Sequence, residues 1–174
     1  MKSFEKIRQK YKPSKINLLF IGEAHPSNGV FFYNEDTVLY KFTKEAFNEY
    51  FKADTFTLEF FKDKGCYLYD IGKSHFGMTF KEKVNAIAEG IPVLAKFILE
   101  NKPIYIISTN NSIFNAIIMA NAEIGDMIPE ENIFDLPTPI FGNHHFYKEE
   151  LVKALEQIDF KKIESVVSLK QEEE

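Results

Sequence analysis

Cysteine and tryptophan are scarce in this 174-residue sequence: Cys66 is the only cysteine, and tryptophan is absent. A single cysteine excludes an internal disulfide and is typical of proteins kept in a reducing compartment. Cys66 begins an apolar segment, which favours a buried structural thiol over a reactive nucleophile. We therefore expect a cytoplasmic protein whose chemistry does not depend on cysteine.

Long hydrophobic runs and an excess of basic residues are lacking as well. No apolar run approaches the roughly 20 residues of a membrane-spanning helix, and the first residues show no apolar segment of a signal peptide. The formal net charge is −5, whereas proteins that bind nucleic acid usually carry a basic patch or stripe. The sequence therefore predicts no membrane partner, and its charge allows nucleic-acid binding only through a local basic rim.

Several catalytic motifs are also missing. The sequence contains no Walker P-loop, no Gly-x-Gly-x-x-Gly and no Gly-x-Ser-x-Gly, which disfavours phosphate-cradling nucleotide enzymes and α/β-hydrolases. The candidate zinc ligands lack the paired spacing of His-x-x-x-His or Cys-x-x-Cys; they are His25, His75, His144 and Glu23. We predict neither a metal nor another cofactor.

Short apolar runs alternate with amphipathic segments along the sequence. Runs without a helical period predict four buried strands, at 16–21, 66–71, 104–108 and 133–136. Helical spacing of apolar residues predicts helices at 3–11, 37–52, 80–101 (in two pieces, divided near Pro92), 112–123 and 146–157. Asp36 is the expected N-cap of the second helix and Asn110 or Asn111 that of the fourth. Residues 57–61 and the tail from 159 fit either a helix or an extended segment.

This alternation predicts a single α/β domain, with a mostly parallel four-stranded sheet between helices on both faces. Loops at the carboxyl ends of parallel strands meet at one edge of the sheet, where such proteins bind ligands. Three of these loops, at 22–35, 70–79 and 137–145, contain all four histidines. The first also concentrates a carboxylate, an imidazole, a hydroxyl and an amide within 23–28, so we place the candidate active site there.

Two segments of these loops match a known pair of motifs in order and spacing. The first is Gly22-Glu23-Ala24-His25-Pro26-Ser27 followed by Gly29-Val30-Phe31-Phe32-Tyr33-Asn34, and the second is Leu136-Pro137-Thr138-Pro139 followed by Phe141-Gly142-Asn143-His144-His145-Phe146. Together they resemble the two motifs of the uracil-DNA glycosylase superfamily. The leucine before the first proline is closer to the mismatch-specific branch, and 65–71 loosely resembles the strand between the motifs. The resemblance covers about 16–157.

The resemblance implies a uracil-DNA-glycosylase-like, three-layer α/β/α fold. Such enzymes flip a damaged or modified base out of DNA and hydrolyse its N-glycosidic bond without a metal. The implied catalytic residues, which position water, are Glu23, His25 and Asn34. The implied substrate-binding residues are Gly22, Ala24, Pro26, Phe31, Phe32 and Asp70, with Phe31 or Phe32 as the ring on which the base stacks. The implied DNA-binding residues are Pro137, Thr138, Pro139, Ile140, Phe141, His144 and His145.

Departures from the motifs keep other interpretations open. The Asp or Asn of the first motif is replaced by Ala24 or His25, depending on the alignment, and Leu136 stands where one branch has histidine. A monomer that has lost catalysis and binds a nucleobase, a nucleotide or a partner protein is one alternative, and an unrelated hydrolase using Glu23 and His25 is another. Glu23 is also a candidate helix cap, and Phe31, Phe32 and Tyr33 form a candidate hydrophobic plug.

Overall fold

The structure is a computed structural model that describes residues 4–24, 30–72, 78–140 and 142–160. Its central sheet has four strands: β1 (Leu18–Ala24), β2 (Cys66–Gly72), β3 (Tyr105–Ser108) and β4 (Ile133–Asp135). The strand order is β2-β1-β3-β4 and each pair is parallel, with Ile21 of β1 opposite Tyr69 on one side and Ser108 on the other. The predicted parallel sheet is confirmed.

Helices cover both faces of this sheet and complete a three-layer α/β/α fold. The described helices are α1 (Phe4–Lys10), α2 (Val38–Phe51), α3 (Leu58–Asp63), α4 (Phe80–Asn101), α5 (Asn111–Glu123) and α6 (His144–Gln157). Short 3₁₀ turns lie at Phe32–Asn34 and Glu130–Asn132. Helix α2 packs against α6, and α4 packs against α5. A buried hydrogen bond of 2.9 Å between the hydroxyls of Thr43 and Tyr147 joins α2 to α6.

β1 forms the centre of the core because both of its faces are covered. Leu18, Leu19, Phe20 and Ile21 are each at most 1% exposed. The Phe20 ring lies 5.3 Å from that of Phe61, measured between centroids. A strand buried on both sides needs apolar residues at every position, and this explains the continuous apolar run in the sequence.

Several local predictions need correction. β1 extends to Ala24, so Gly22 and Glu23 belong to the strand rather than to the loop. The N-cap of α2 is Thr37, whose hydroxyl accepts from the Tyr40 N–H, while the Asp36 carboxylate accepts from the Phe31 N–H at 2.8 Å. Residues 58–63 are helical, α6 begins two residues earlier than expected, and the tail from 161 lies outside the described residues.

The predicted division of the helix at 80–101 is also wrong, because α4 continues through Pro92. Proline has no N–H and so removes the backbone hydrogen bond to the carbonyl of Ala88. Ala88 lies on the exposed side of the helix, where water can donate to this carbonyl instead. Residues on both sides of Pro92, including Ile91 and Leu94, are buried against the same core. This shared packing outweighs the local cost of the proline.

The outer edge of β2 is covered by the 3₁₀ turn that follows the first loop. The Tyr33 hydroxyl accepts a hydrogen bond from the Leu68 N–H at 2.7 Å and donates one to the Leu68 carbonyl at 3.0 Å. One side chain therefore satisfies both backbone groups of Leu68 at the edge of the sheet. The ring of Tyr11, just after α1, stacks on Tyr33 and covers it in turn.

Gly90 allows α4 to lie directly against the backbone of β2. A Cβ at this position would lie 2.2 Å from the carbonyl oxygen of Ile71, a backbone atom that cannot rotate away. Alanine normally stabilises a helix by about 1 kcal/mol relative to glycine. A loss of stability on replacing Gly90 by alanine would therefore be caused by the clash. We expect Gly90→Ala to lower the free energy of unfolding by about 2 kcal/mol, measured by urea denaturation.

Ala88→Gly, on the exposed side of the same helix, is the matched control for this change in helix propensity. Ala88→Gly should lower the free energy of unfolding by about 1 kcal/mol. If Gly90→Ala were as stable as the wild type, α4 would not approach β2 as closely as the structure indicates.

Candidate functional site

A cleft of about 400 Å³ opens at the carboxyl ends of the strands. Its walls come from the end of β1, the residues after β3 and β4, and the start of α2. The chain leaves β1 toward β2 on one side and later returns to pair β3 on the other side, so the cleft lies where the strand order reverses. This is the position at which open α/β sheets bind ligands, and the volume is within the range of small-molecule sites.

Glu23 lies in this cleft, held by the N-terminus of α5. Its Oε2 accepts a hydrogen bond from the Asn110 side-chain amide and another, at 3.3 Å, from the Ser112 hydroxyl. The amide oxygen of Asn110 accepts in turn from the Thr138 hydroxyl at 2.6 Å. A chain of hydrogen bonds thus joins the ends of β1, β3 and β4 and fixes the orientation of the carboxylate.

Asn110 performs two tasks in this arrangement. It is the N-cap of α5, where its Oδ1 accepts from the Ser112 N–H at 3.0 Å, and its amide nitrogen is the donor to Glu23. Asparagine suits both tasks because its side chain carries an acceptor and two donors, whereas an aspartate cap is an acceptor only when ionised. The sequence identified Asn110 only as a possible cap, and its role beside Glu23 was missed.

Asp70 borders the same cleft from β2. A Cβ on Gly22 would lie 2.4 Å from Asp70 Oδ1, so the glycine makes room for this carboxylate. Oδ2 lies 3.7 Å from Arg8 Nη1, and among the described residues it has no hydrogen-bond partner. Burial raises the pKa of the Asp70 carboxyl to about 6, and the charge of Arg8 opposes that rise. Asp70 is thus a buried, weakly paired acid at the edge of the cleft.

The rim of the cleft is apolar. Val30, Val38 and Ile140 line it and are 36%, 49% and 43% exposed, which places all three among the large hydrophobic side chains that the fold leaves open to solvent. Leu39 adds a fourth apolar side chain. The cleft therefore combines an apolar rim with a polar interior, as ligand sites commonly do.

The structure brings part of the predicted site together and leaves part of it elsewhere. The predicted residues that line the cleft are Gly22, Glu23, Ala24, Asp70, Thr138, Pro139 and Ile140. His25, Pro26 and Phe141, together with His75, lie outside the described residues. Pro137 precedes the lining residues of the β4 loop without lining the cleft itself.

The prediction that Phe31 or Phe32 supplies a stacking surface is wrong for this structure. They are 1% and 3% exposed and pack within an aromatic cluster, Phe31 against Phe4 at 5.1 Å and Phe32 against Phe61 at 5.5 Å. Neither ring has a face open to a ligand. The alternative interpretation of this segment as a hydrophobic plug is the correct one.

The prediction for Asn34 is also not supported, because this residue lines a different groove, between α1 and the 3₁₀ turn. His144 and His145 begin α6 and lie beside α2 instead of lining the cleft. The His144 ring stacks on Phe42 with a centroid distance of 4.7 Å. Their expected role in DNA binding stays a prediction.

Comparison with known proteins gives no family for the chain: no protein-family model and no curated protein matches it. Within the described ranges, no helix is long and apolar enough to cross a membrane. The same ranges contain no group of three or more His, Cys, Asp or Glu side chains placed to hold a metal ion. The candidate site therefore has to be interpreted from its own geometry.

Proposed function

We propose that this protein hydrolyses the N-glycosidic bond of a damaged or modified base, such as uracil, hypoxanthine or a mismatched base, that is flipped into the cleft. One observation carries the proposal: the Glu23 carboxylate is oriented by Asn110 and Ser112 at the point where the strand order reverses. A carboxylate fixed in a ligand-sized cleft is suited to bind water and accept its proton. The resemblance to the uracil-DNA glycosylase superfamily supports the same reaction.

The shape and chemistry of the cleft suit a planar base. The apolar side chains of Val30 and Val38 can contact the base, and Ile140 is exposed enough to occupy the space that a flipped base leaves in the duplex. Inside, Asn110 and Asp70 offer polar groups to the edge of the base. This arrangement replaces the aromatic platform that the sequence predicted.

In the proposed reaction a water molecule bound to Glu23 attacks the anomeric carbon of the sugar. Its proton passes to the carboxylate, its oxygen forms the new C–O bond, and the electron pair of the broken C–N bond leaves with the base. The proton then returns from Glu23 to the departing base, so that the enzyme ends unchanged. Asn110 keeps the carboxylate in position and acts as a positioning residue.

Oligonucleotides that contain uracil, hypoxanthine or a mismatched base test the proposal. Purified protein is incubated with each duplex and single strand, and abasic sites are detected by cleavage with alkali. We expect abasic sites from at least one substrate and none from the matched undamaged duplex. If none of the substrates yields abasic sites while circular dichroism shows a folded protein, the proposal is wrong.

A second candidate function is binding of a nucleobase or nucleotide without catalysis. It is favoured by the contacts of Glu23 with the N-cap and with Ser112 of α5, because such contacts also give this carboxylate a structural role at the start of the helix. Binding of a substrate oligonucleotide without release of its base would support this alternative.

A further inference from the structure

The basic residues of the chain are concentrated at its N-terminus. Residues 1–15 contain six basic residues and one acidic residue, a net charge of +5, while 16–174 contain 15 basic and 25 acidic residues, a net charge of −10. The acidic composition of the whole chain therefore conceals a basic segment. This segment contains α1 and the residues that follow it.

The structure places two of these cations on one surface with Lys62 of α3, and we call this surface the basic strip, defined as Lys6, Lys10 and Lys62. Lys6 and Lys10 are exposed, lie one helical turn apart and line the same groove of about 450 Å³. Lys62 of α3 reaches the end of α1 and donates to the Lys10 carbonyl at 3.2 Å. Glu59 of α3 is an acidic side chain whose charge acts on Lys10.

The segment 30–36 joins the groove of the basic strip to the cleft, because Asn34 lines the groove while Val30 and Asp36 line the cleft. Phe4, at the start of the helix, packs on Phe31 just after the first loop. Arg8, in the middle of the helix, lies 3.7 Å from Asp70, which lines the cleft. Phe4 and Arg8 therefore anchor α1 through its buried side, and Lys6 and Lys10 lie on its exposed side.

We propose that the basic strip binds the phosphate backbone of nucleic acid beside the base held in the cleft. This inference rests on the proposed function and names the surface that contacts its polymeric substrate. The cleft itself presents Glu23, Asp36 and Asp70 and, among its described lining residues, no lysine or arginine, so it needs cationic contacts from outside. The lysines provide these contacts without reading base sequence.

The chemistry of the strip favours nucleic acid over an anionic membrane. A membrane-binding helix inserts large apolar side chains below its lysines, but Phe4 and Ile7 of α1 pack against the protein core. The other residues lining the groove with the lysines are mainly polar or aromatic, namely Tyr11, Tyr33 and Asn34. Such a groove suits a sugar-phosphate backbone.

The test measures how the affinity for a fluorescent single-stranded and a double-stranded oligonucleotide depends on salt. The wild type is compared with Lys6→Gln/Lys10→Gln/Lys62→Gln and with a control that removes the same charge elsewhere, Lys81→Gln/Lys96→Gln/Lys153→Gln. Each lost phosphate contact reduces the slope of log K against log salt by about 0.9, so between 50 and 200 mM salt the affinity of the wild type should fall about 40-fold more than that of the strip variant. The control should follow the wild type.

Three results would overturn the proposal: a strip variant with the slope of the wild type, no binding of either oligonucleotide by the wild type at low salt, or lysine-dependent binding only to phosphatidylserine vesicles. Base release from the same oligonucleotides distinguishes this failure from failure of the proposed function. Release with an unchanged slope rejects only the strip, whereas strip-dependent binding without release rejects only the catalysis. Circular dichroism of each variant verifies that it is folded.

Discussion

Glu23→Gln should slow base release by roughly 10²–10⁴-fold, the usual contribution of a general base. Glutamine keeps the shape of the side chain and an oxygen that accepts from Asn110 and Ser112, but it cannot take a proton from water. The change should therefore appear in the single-turnover rate constant of base release, measured with the best substrate of the oligonucleotide panel. Affinity for that oligonucleotide should change little.

A matched control for Glu23→Gln is Glu130→Gln, which removes one exposed carboxylate from the turn before β4. It changes the net charge equally and should leave the rate unchanged. The free energy of unfolding of Glu23→Gln, measured by thermal unfolding, should lie within about 1 kcal/mol of the wild-type value, because only the charge on a hydrogen-bond acceptor is lost. If Glu23→Gln releases the base at the wild-type rate, another group activates the water.

The strands were the part of the fold that the sequence predicted best. Leu18 to Ile21 are apolar at every position because they are buried on both faces, and this leaves a direct signal in the composition. Helix ends were predicted less well. Thr37 and Asp36 are both good caps, and only the path of the backbone decides that Thr37 caps α2 while Asp36 binds the Phe31 N–H.

The candidate site was predicted only in part, because its key contacts join distant residues. Glu23 and Thr138 were identified from their motifs, but Asn110, which binds both, is 87 residues from Glu23 and resembles an ordinary helix cap in the sequence. The aromatic residues show the opposite problem. A stacking platform and a hydrophobic plug need the same side chains, and the contact of Phe4 with Phe31 decides between them.

Asp70→Asn should change the dependence of stability on pH. Burial raises the pKa of the Asp70 carboxyl from 3.8 to about 6 in the folded protein, against the opposing effect of Arg8. The folded state therefore holds this proton more tightly than the unfolded state between pH 4 and 6. The stability that Asp70 contributes is present in full below pH 4 and is lost as the pH rises through 6. Asparagine does not titrate, so the variant lacks this dependence.

The quantity to measure is the difference in unfolding free energy between wild type and Asp70→Asn, by urea denaturation at several pH values. Two pKa units correspond to about 3 kcal/mol in full. Because an unfolded carboxyl with a pKa of 3.8 is already partly ionised at pH 4, the wild type should lose about 2.5 kcal/mol relative to the variant between pH 4 and pH 7. Any constant offset reports instead the loss of the charge that faces Arg8. Glu123→Gln, at the exposed end of α5, controls for the change in net charge. If the difference in unfolding free energy stayed constant across this pH range, Asp70 would be solvated in the folded protein. The cleft would then extend deeper between β1 and β2 than the close contact of Gly22 with Asp70 implies.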